Sequence, residues 1–276
     1  MKKLFVFVLV LLMLVGLGMV IYPVISNLVN EDQSIVQAQY SDVVETMTDE
    51  EIKSVKQAAK LYNEALMSIQ GTEVVQVQPY EDLLNLSGNG VMCSLEIPAI
   101  QVELPVYHGV DEEVLQKGAG HMPGTSLPIG GEGTHAVISA HAGLATARLF
   151  TDLEKLVEGD VFYIHVLDET LCYEVDQILV TLPSDTETVR IEEGEDYVTL
   201  LTCTPYGVNT HRLLVRGHRI EMLETIMETN VEETEAPERT SIWTEKYLQG
   251  IAIGMVATVL LVGLLTTIVK IRKKRN

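Results

Sequence analysis

The most conspicuous feature of the hydropathy pattern is a pair of long apolar runs at the two ends of the chain. One extends from Leu4 to Ile25 and the other from Leu248 to Val269. Each run is about 22 residues long, which is enough for a helix to cross a hydrocarbon layer of roughly 30 Å. The pattern therefore predicts two transmembrane segments, at 1–26 and, with a polar tail, at 247–276.

Basic residues flank the outer side of both runs. Lys2 and Lys3 precede the first run, and five lysines and arginines follow the second. Because positively charged flanks are retained in the cytoplasm, both termini are expected there, with everything between them outside the cell. A cleaved signal peptide is the alternative for the first run. An uncleaved anchor is favoured, because the apolar run is longer than a usual h-region and no small-x-small site follows closely.

The region 27–90 is predicted to hold a stalk and one amphipathic helix. Residues 27–47 are polar and acidic without strong periodicity, which favours an acidic stalk. Thr48 and Glu51 then have the spacing of a capping box. Apolar side chains follow at three- and four-residue steps up to an end near Gly71. The face consists of Ile52, Val55, Ala59, Tyr62, Leu66 and Ile69. The outside of a β-barrel would provide the partner surface that this face needs.

Between 91 and 221 the pattern changes to short β-rich runs separated by Gly-, Pro- and Asp-rich turns. Predicted strands are 91–97, 100–103, 135–140, 161–167, 171–182, 197–203 and 212–220, with a further short strand beginning at Val106. The region 117–124 is predicted to be an irregular loop, and 147–156 a helical turn. Many short strands with few helices indicate a mainly β domain, either a closed barrel or a sandwich. An acidic spacer is predicted at 222–246.

The candidate chemistry lies in the stretch 197–217. Its first strand ends on Cys203, a loop containing Pro, Gly and Asn follows, and a second strand begins at Arg212. A cysteine at a strand end facing a loop suits a nucleophile, although a small buried hydrophobe is the common alternative. His141 also follows a strand and opens a loop. A histidine could supply the proton transfer that acyl transfer by a thiol requires.

Charge and cysteine content narrow the function classes. Between the terminal flanks there are 12 basic and 39 acidic residues, a net charge of −27, which disfavours nucleic-acid binding. The three cysteines are Cys93, Cys172 and Cys203, and their odd number leaves at least one free thiol. Either Cys93 and Cys172 form a disulfide or both are reduced core residues, and the second interpretation is the default. No Cys/His ligand spacing indicates a structural zinc site.

Several motifs resemble those of sortases. Thr199-Leu200-Leu201-Thr202-Cys203 is similar to the sortase signature TLxTC, and its continuation through 209–217 is similar to class C, the pilin-assembling sortases. The resemblance also covers Glu96-Ile97-Pro98, Gly118-Ala119-Gly120-His121, Thr134 to His141 and Leu149 to Leu153. These motifs occur in the family's order over roughly residues 90 to 220. The resemblance implies a closed eight-stranded sortase barrel.

The resemblance also implies an activity and a set of site residues. Cys203 would cleave an LPxTG-like sorting signal between Thr and Gly through a thioacyl intermediate, and His141 would protonate the departing amine. A pilin lysine or a cell-wall peptide amine would then resolve the thioester. Arg212 corresponds to the family's arginine, with Arg216 as its rival. Thr202 is a candidate substrate contact, with a structural strand threonine as the alternative. Neither a cofactor nor a metal is expected.

One departure concerns the lid that class C sortases usually carry ahead of the barrel. Its Asp-Pro-aromatic motif is missing, because no Asp-Pro pair occurs in the chain. The nearest analogue is Gln78-Pro79-Tyr80, in which a glutamine brings no charge to an arginine. Two interpretations remain open: a weak lid, or a simple linker.

The alternatives to a pilin-assembling enzyme differ in testable features. A housekeeping-type sortase would attach single proteins to the cell wall, and the second apolar run favours the pilin class over it. A non-catalytic surface protein could use the barrel only for binding, yet Cys203, His141 and Arg212 are all present. A papain-like hydrolase is disfavoured, because its cysteine opens a helix whereas Cys203 ends a strand. The expected location is the membrane of a Gram-positive-type cell, with the catalytic domain extracellular.

Overall fold

A computed structural model describes residues 32–69, 78–142, 147–185, 187–221 and 248–256, with a few single positions in the terminal segments. The chain divides into two compact units, one at 26–239 and the other made of 1–25 and 240–276. Within the described residues, no helix is both long and apolar enough to cross a membrane. The predicted segment at 4–25 and the spacer at 222–246 lie almost wholly outside those residues. Of the second segment, 248–256 is described and is helical.

The first unit is built on a closed barrel of eight strands. They are β1 (Val91–Ile97), β2 (Val102–His108), β3 (Ala119–His121), β4 (Thr134–Ser139), β5 (Val161–Val166), β6 (Glu169–Thr181), β7 (Asp196–Thr204) and β8 (His211–Ile220). Around the barrel their order is β1-β2-β3-β4-β7-β8-β6-β5. Closure pairs every strand on both sides, so no edge is left open. The barrel prediction is thus confirmed, and the sandwich alternative is wrong.

The strand register brings distant parts of the sequence to the same end of the barrel. β4 and β7 are parallel, with Ser139 opposite Leu201. β7 and β8 are antiparallel, with Cys203 opposite Arg212. Between the walls, buried aliphatic and aromatic side chains such as Ile138, Leu200 and Val215 fill the core. The residues that follow β4 therefore emerge beside the end of β7.

Two N-terminal helices pack on the outside of the barrel. Helix α2 (Asp49–Ile69) begins at the predicted capping box, in which Thr48 N donates to Glu51 Oε2 at 2.8 Å and Glu51 N donates to Thr48 Oγ1 at 3.3 Å. Asn63 docks this helix, because its amide donates to the carbonyl oxygen of Leu127 at 3.1 Å and accepts from the Leu127 amide at 2.7 Å. The predicted amphipathic helix on a β surface is confirmed.

The predicted acidic stalk differs from the structure over most of its length. Residues Asp32–Thr46 form helix α1, which packs against β2 and β1. Its buried residues include Gln37 and Tyr40, and the Tyr40 hydroxyl accepts from the Leu167 amide at 3.0 Å. A helix docked through so few side chains, one of them polar, produces no marked apolar periodicity. That is why the sequence pattern did not reveal it.

Other differences concern short elements. The region 117–124, predicted to be a loop, contains β3, whose three residues are too few to show alternation. The predicted strand 100–103 and the one beginning at Val106 are one strand, β2, and a 3₁₀ turn at Pro98–Ile100 precedes it. The predicted helical turn at 147–156 is a 3₁₀ turn at Leu153–Lys155.

The structure also decides between the two interpretations of the cysteines. Cys93 and Cys172 are both free and fully buried, so the reduced core interpretation is confirmed. Burial in an apolar environment raises the pKa of the Cys93 thiol far above its usual range. Cys203 differs from both, because it is partly exposed.

Candidate active site

The end of β7 and the exit of β4 form the centre of the candidate site. The amide of Ala140 donates to the carbonyl oxygen of Leu201 at 3.2 Å, which continues the parallel pairing one residue beyond β4. His141 follows directly, and its carbonyl oxygen accepts from the Phe150 amide at 3.0 Å. The fold therefore holds the backbone of His141 alongside the last residues of β7, where Cys203 lies.

Thr202 fastens these two segments together. Its side chain is buried, and its hydroxyl donates to the carbonyl oxygen of Ala140 at 2.7 Å. This bond joins the residue before Cys203 to the residue before His141. The bond gives Thr202 a positioning role. Thr202 also lines the depression beside Cys203, so the predicted substrate contact stays a prediction.

Arg212 lies directly across from Cys203 on β8. Residues opposite each other on antiparallel strands project to the same face, with Cβ atoms about 5 Å apart. The guanidinium donates only to main-chain oxygens, through Nη1 to His211 at 3.2 Å and to Asn209 at 3.4 Å. Within the described part of the chain, it forms no ion pair. Its charge is thus available to a ligand at Cys203.

Arg216 is engaged elsewhere. It lies opposite Thr199, four residues before Cys203 on β7 and thus about 13 Å away along the strand. Nε donates to Asp176 Oδ1 at 3.0 Å and Nη2 to Asp176 Oδ2 at 2.7 Å, while the guanidinium stacks on Tyr197 at 4.1 Å. Burial alone would lower the pKa of Arg216, but the hydrogen bonds and charge of Asp176 raise it above its usual value. The geometry favours Arg212 over its rival.

Glu112 was not among the predicted site residues, yet it approaches His141. It begins the short helix α3 (Glu112–Leu115), which lies between β2 and β3. Its Oε2 is 3.3 Å from His141 Nε2, and its Oε1 accepts from the Gln116 amide at 3.0 Å. The Gln116 hydrogen bond first, and then the charge of His141, lower the pKa of the Glu112 carboxyl. No local sequence signal connects positions 29 residues apart across an irregular loop.

Two further histidines in the resembling segments have structural partners instead. His121 is fully buried, and its Nε2 donates to the Ser126 carbonyl oxygen at 2.7 Å; burial lowers its pKa to about 4. His135 is bonded through Nε2 to the Thr199 hydroxyl at 2.7 Å, and burial lowers its pKa as well. In both cases burial disfavours the protonated ring. His141 is distinguished from them by its partial exposure at the loop opening.

Of the candidate lid residues, Tyr80 has described contacts, and these include contacts with His121 and Gly109. Gln78 and Pro79 are exposed, while Tyr80 begins a 3₁₀ turn at Tyr80–Asp82. The Tyr80 hydroxyl is 2.9 Å from His121 Nδ1 and accepts from the Gly109 amide at 3.1 Å. His121 is opposite Ile138, three residues before His141, so Tyr80 is held lower on the barrel wall. The preceding stretch 71–77 is not among the described residues.

A shallow depression opens beside Cys203. Its lining includes Ala142, Phe150, Thr151, Glu154, Tyr206 and Leu213. The loop after β7 closes one side: the amides of Val208 and Asn209 both donate to the Pro205 carbonyl oxygen at 3.0 Å, and Asn209 adopts a left-handed φ of 61°. The predicted turn is confirmed. Cys203, which is partly exposed, is itself one of the residues that line this depression.

Comparison with known proteins identifies the fold. A family model described as the sortase domain matches residues 95–220. The solved structure of sortase C1 from Streptococcus agalactiae is 44% identical, covers 68% of this chain and 99% of its own, and superimposes with a TM-score of 0.64. The chain belongs to the sortase family, in class C. Sortases are cysteine transpeptidases, so the chain is an enzyme of that type.

Two other class C sortases agree in extent and similarity. The Streptococcus pneumoniae sortase C, whose structure was described with reference to pilin substrate specificity, is 45% identical over 68% of this chain and 97% of its own, with a TM-score of 0.59. The Clostridium perfringens sortase C with the C-terminal cell wall sorting motif is 44% identical over 68% of this chain and all of its own, with a TM-score of 0.62. The 68% of this chain that each structure covers is longer than the segment 95–220 matched by the family model.

Proposed function

We propose that this sortase cleaves an LPxTG-like sorting signal between Thr and Gly and joins the acyl group to a lysine amine of a pilin subunit. The observation that carries the proposal is the arrangement of Cys203 across from Arg212, with His141 held beside the same strand end. A thiol nucleophile, a proton-transfer group and a fixed cation are the parts that acyl transfer needs.

In the first half-reaction, the Cys203 sulfur attacks the threonine carbonyl carbon. The carbon–nitrogen bond to glycine breaks, a carbon–sulfur bond forms, and His141 gives its proton to the departing amine. In the second half-reaction, His141 accepts a proton from the incoming amine, whose nitrogen displaces the sulfur. A peptide or isopeptide bond replaces the bond that was broken, so no oxidant, cofactor or external energy source is required.

Arg212 donates to the oxygen of the scissile carbonyl as negative charge develops on it. A guanidinium does not titrate in this pH range and offers donors in a fixed plane. Its lack of an ion-pair partner in the described structure supports this role, because no carboxylate has to be displaced first.

The choice of a pilin lysine over a cell-wall amine rests on two observations. The apolar run at 248–269 is typical of the pilin class, and the structural neighbours are class C sortases. With the run at 4–25, it would anchor the enzyme twice in the membrane, with both termini cytoplasmic and the barrel extracellular. Attachment of single proteins to the cell wall is the second candidate, since the same thioester would accept a wall peptide amine.

The experiment is thioester capture with a sorting peptide by the full chain. We expect Cys203→Ala to abolish both capture and turnover while the far-UV spectrum and melting temperature are retained. Cys172→Ala and Cys93→Ser serve as matched controls, because both of these thiols are buried. Activity that survives in Cys203→Ala but is lost in a control would move the nucleophile elsewhere. Offering the acyl-enzyme a lysine-bearing pilin and a wall peptide in competition tests the acceptor.

A further inference from the structure

We infer that Glu112 is a positioning residue for His141: its carboxylate fixes the imidazole tautomer and stabilises the protonated ring during acyl transfer. This inference rests on the proposed role of His141. The observation behind it is the 3.3 Å approach of Glu112 Oε2 to His141 Nε2. Within the described residues, Nε2 is buried and has no partner with hydrogen-bond geometry. The carboxylate is at ion-pair distance but is not aligned as a hydrogen bond.

The carboxylate is itself oriented. Its second oxygen, Oε1, accepts from the Gln116 side-chain amide at 3.0 Å, which leaves Oε2 for His141. Gln116 directly follows α3, so one turn of backbone positions both the amide and the carboxylate. The sequence of groups is thus amide, carboxylate, imidazole. A base oriented by a third group is the arrangement that activates nucleophiles in many unrelated enzymes.

The backbone under Glu112 is held closely against the barrel. The Leu115 amide donates to the Asp111 carbonyl oxygen at 3.0 Å, which closes the turn of α3. A Cβ atom at Gly120 on β3 would collide with the carbonyl oxygen of Gly109 and crowd the Val114 side chain. Glycine at 120 therefore lets the 109–118 segment approach the strand beside β4. The position of Glu112 relative to His141 is set by this packing.

The hydrogen-bonding capacity of a carboxylate and an imidazole indicates what the contact between Glu112 and His141 does chemically. A carboxylate is negatively charged and can only accept, so its attraction at 3.3 Å favours the tautomer with the proton on Nε2, even without an aligned hydrogen bond. Nδ1 is then the nitrogen that gives a proton to the leaving amine and takes one from the acceptor amine. Among the described residues, the other titratable or charged groups at this end of the barrel include Cys203, His211, Arg212 and Glu154.

The solvent exposure of the two side chains limits the strength of the interaction between Glu112 and His141. The Glu112 side chain is 67% exposed and that of His141 is 24% exposed, so water and salt screen the interaction. We therefore expect Glu112→Gln to lower kcat about fivefold with little change in KM, because the interaction matters in proton transfer rather than in peptide binding.

The test measures kcat and KM of the full chain with a sorting peptide from pH 5.5 to 9.5. Glu113→Gln, an adjacent exposed glutamate, is the matched control and should behave as the wild type. Glu112→Asp keeps the charge and should restore part of the loss. Raising the salt to about 1 M, where the screening length is about 3 Å, should shrink the difference between wild type and Glu112→Gln.

Parallel measurement of His141→Ala separates the two proposals. If His141→Ala is inactive while Glu112→Gln matches Glu113→Gln in kcat and pH profile, the inference on Glu112 is wrong and the role of His141 stands. If His141→Ala retains wild-type turnover, the proposed function of His141 is wrong, and the positioning role loses its basis. A fall in kcat for Glu112→Gln that is insensitive to both pH and salt would indicate a purely structural contact and would also overturn the inference.

Discussion

The two arginines on β8 should separate activity from stability when each is replaced by lysine. Arg212 lies opposite Cys203 and donates only to main-chain oxygens in the described structure, whereas Arg216 is paired with Asp176 and stacked on Tyr197. Lysine keeps the charge in both cases but loses the planar pair of donors. The substitution therefore tests where that planar geometry is used.

The expected magnitudes follow from these contacts. Arg212→Lys should lower kcat/KM at least about tenfold, equivalent to about 1.4 kcal/mol of transition-state stabilisation. Its effect on unfolding should stay within about 0.5 kcal/mol, because its main-chain hydrogen bonds are long. Arg216→Lys loses one of two charge-assisted hydrogen bonds and the ring contact, at a cost of about 2 kcal/mol. For a unit of this size, that lowers the melting temperature by about 4–8 °C.

Catalytic efficiency and thermal stability can be measured on the same protein samples. Steady-state cleavage of a sorting peptide gives kcat/KM well below the melting temperature, and thermal unfolding followed by circular dichroism gives Tm. We expect Arg212→Lys to be slow but stable, and Arg216→Lys to be less stable with a smaller loss of rate. The reverse result, a stable Arg216→Lys without activity beside an active Arg212→Lys, would assign the oxyanion role to Arg216 and refute the argument.

Three further predictions concern residues around the site. Thr202→Val should cost about 1–3 kcal/mol in unfolding free energy, because the Ala140 carbonyl oxygen loses its donor, with KM unchanged. Thr202→Ser should lower the unfolding free energy by less than about 1 kcal/mol. If Thr202→Val raised KM without destabilising the protein, Thr202 would instead be a substrate contact. Tyr80→Phe should lower stability, because the Gly109 amide loses its acceptor. The rate at which a small thiol reagent labels Cys203 should change less than about twofold in this variant. An acceleration of about tenfold would show that this segment restrains a working lid. His121 has a folded pKa of about 4 against about 6.5 in the unfolded chain, so the unfolded state binds the extra proton. Its stabilising contribution is therefore complete above pH 6.5 and is lost as pH falls towards 4, at about 1 kcal/mol per pH unit near pH 5. The unfolding free energy, measured with urea from pH 7.5 to 4.5, should depend on pH less steeply by that amount in His121→Gln. An unchanged pH dependence would contradict the neutral buried state.

The sequence predicted the parts of the fold that depend on local pattern. The strand that ends on Cys203 and the strand that begins at Arg212 both lie within one residue of their predicted bounds. The helix starting after Thr48 has the predicted cap. In each case, apolar periodicity and a turn or cap residue agreed, so no tertiary information was needed.

Other features depend on contacts that no local pattern encodes. The buried side chains described for helix α1 are Gln37 and Tyr40, and β3 is too short to show alternation. The roles suggested for Thr202 and Glu112 arise from hydrogen bonds and charges across strands and loops. That Arg216, unlike Arg212, is held by side-chain contacts can likewise be seen only when the positions of Asp176 and Tyr197 are known. These positions depend on barrel closure, not on spacing along the chain.

The parallel pairing of β4 with β7 affects the order in which the strand pairs of the barrel form during folding. Parallel neighbours cannot be joined by a hairpin, and the chain from 140 to 195 includes β5 and β6 before it returns to β4. Bringing together the ends of so long a loop costs about 3 to 4 kcal/mol of chain entropy. We expect this contact to form late, after the local hairpin of β5 and β6. During refolding, the thiol would then exist for a time without its histidine, and recovery of turnover should lag behind recovery of β-structure.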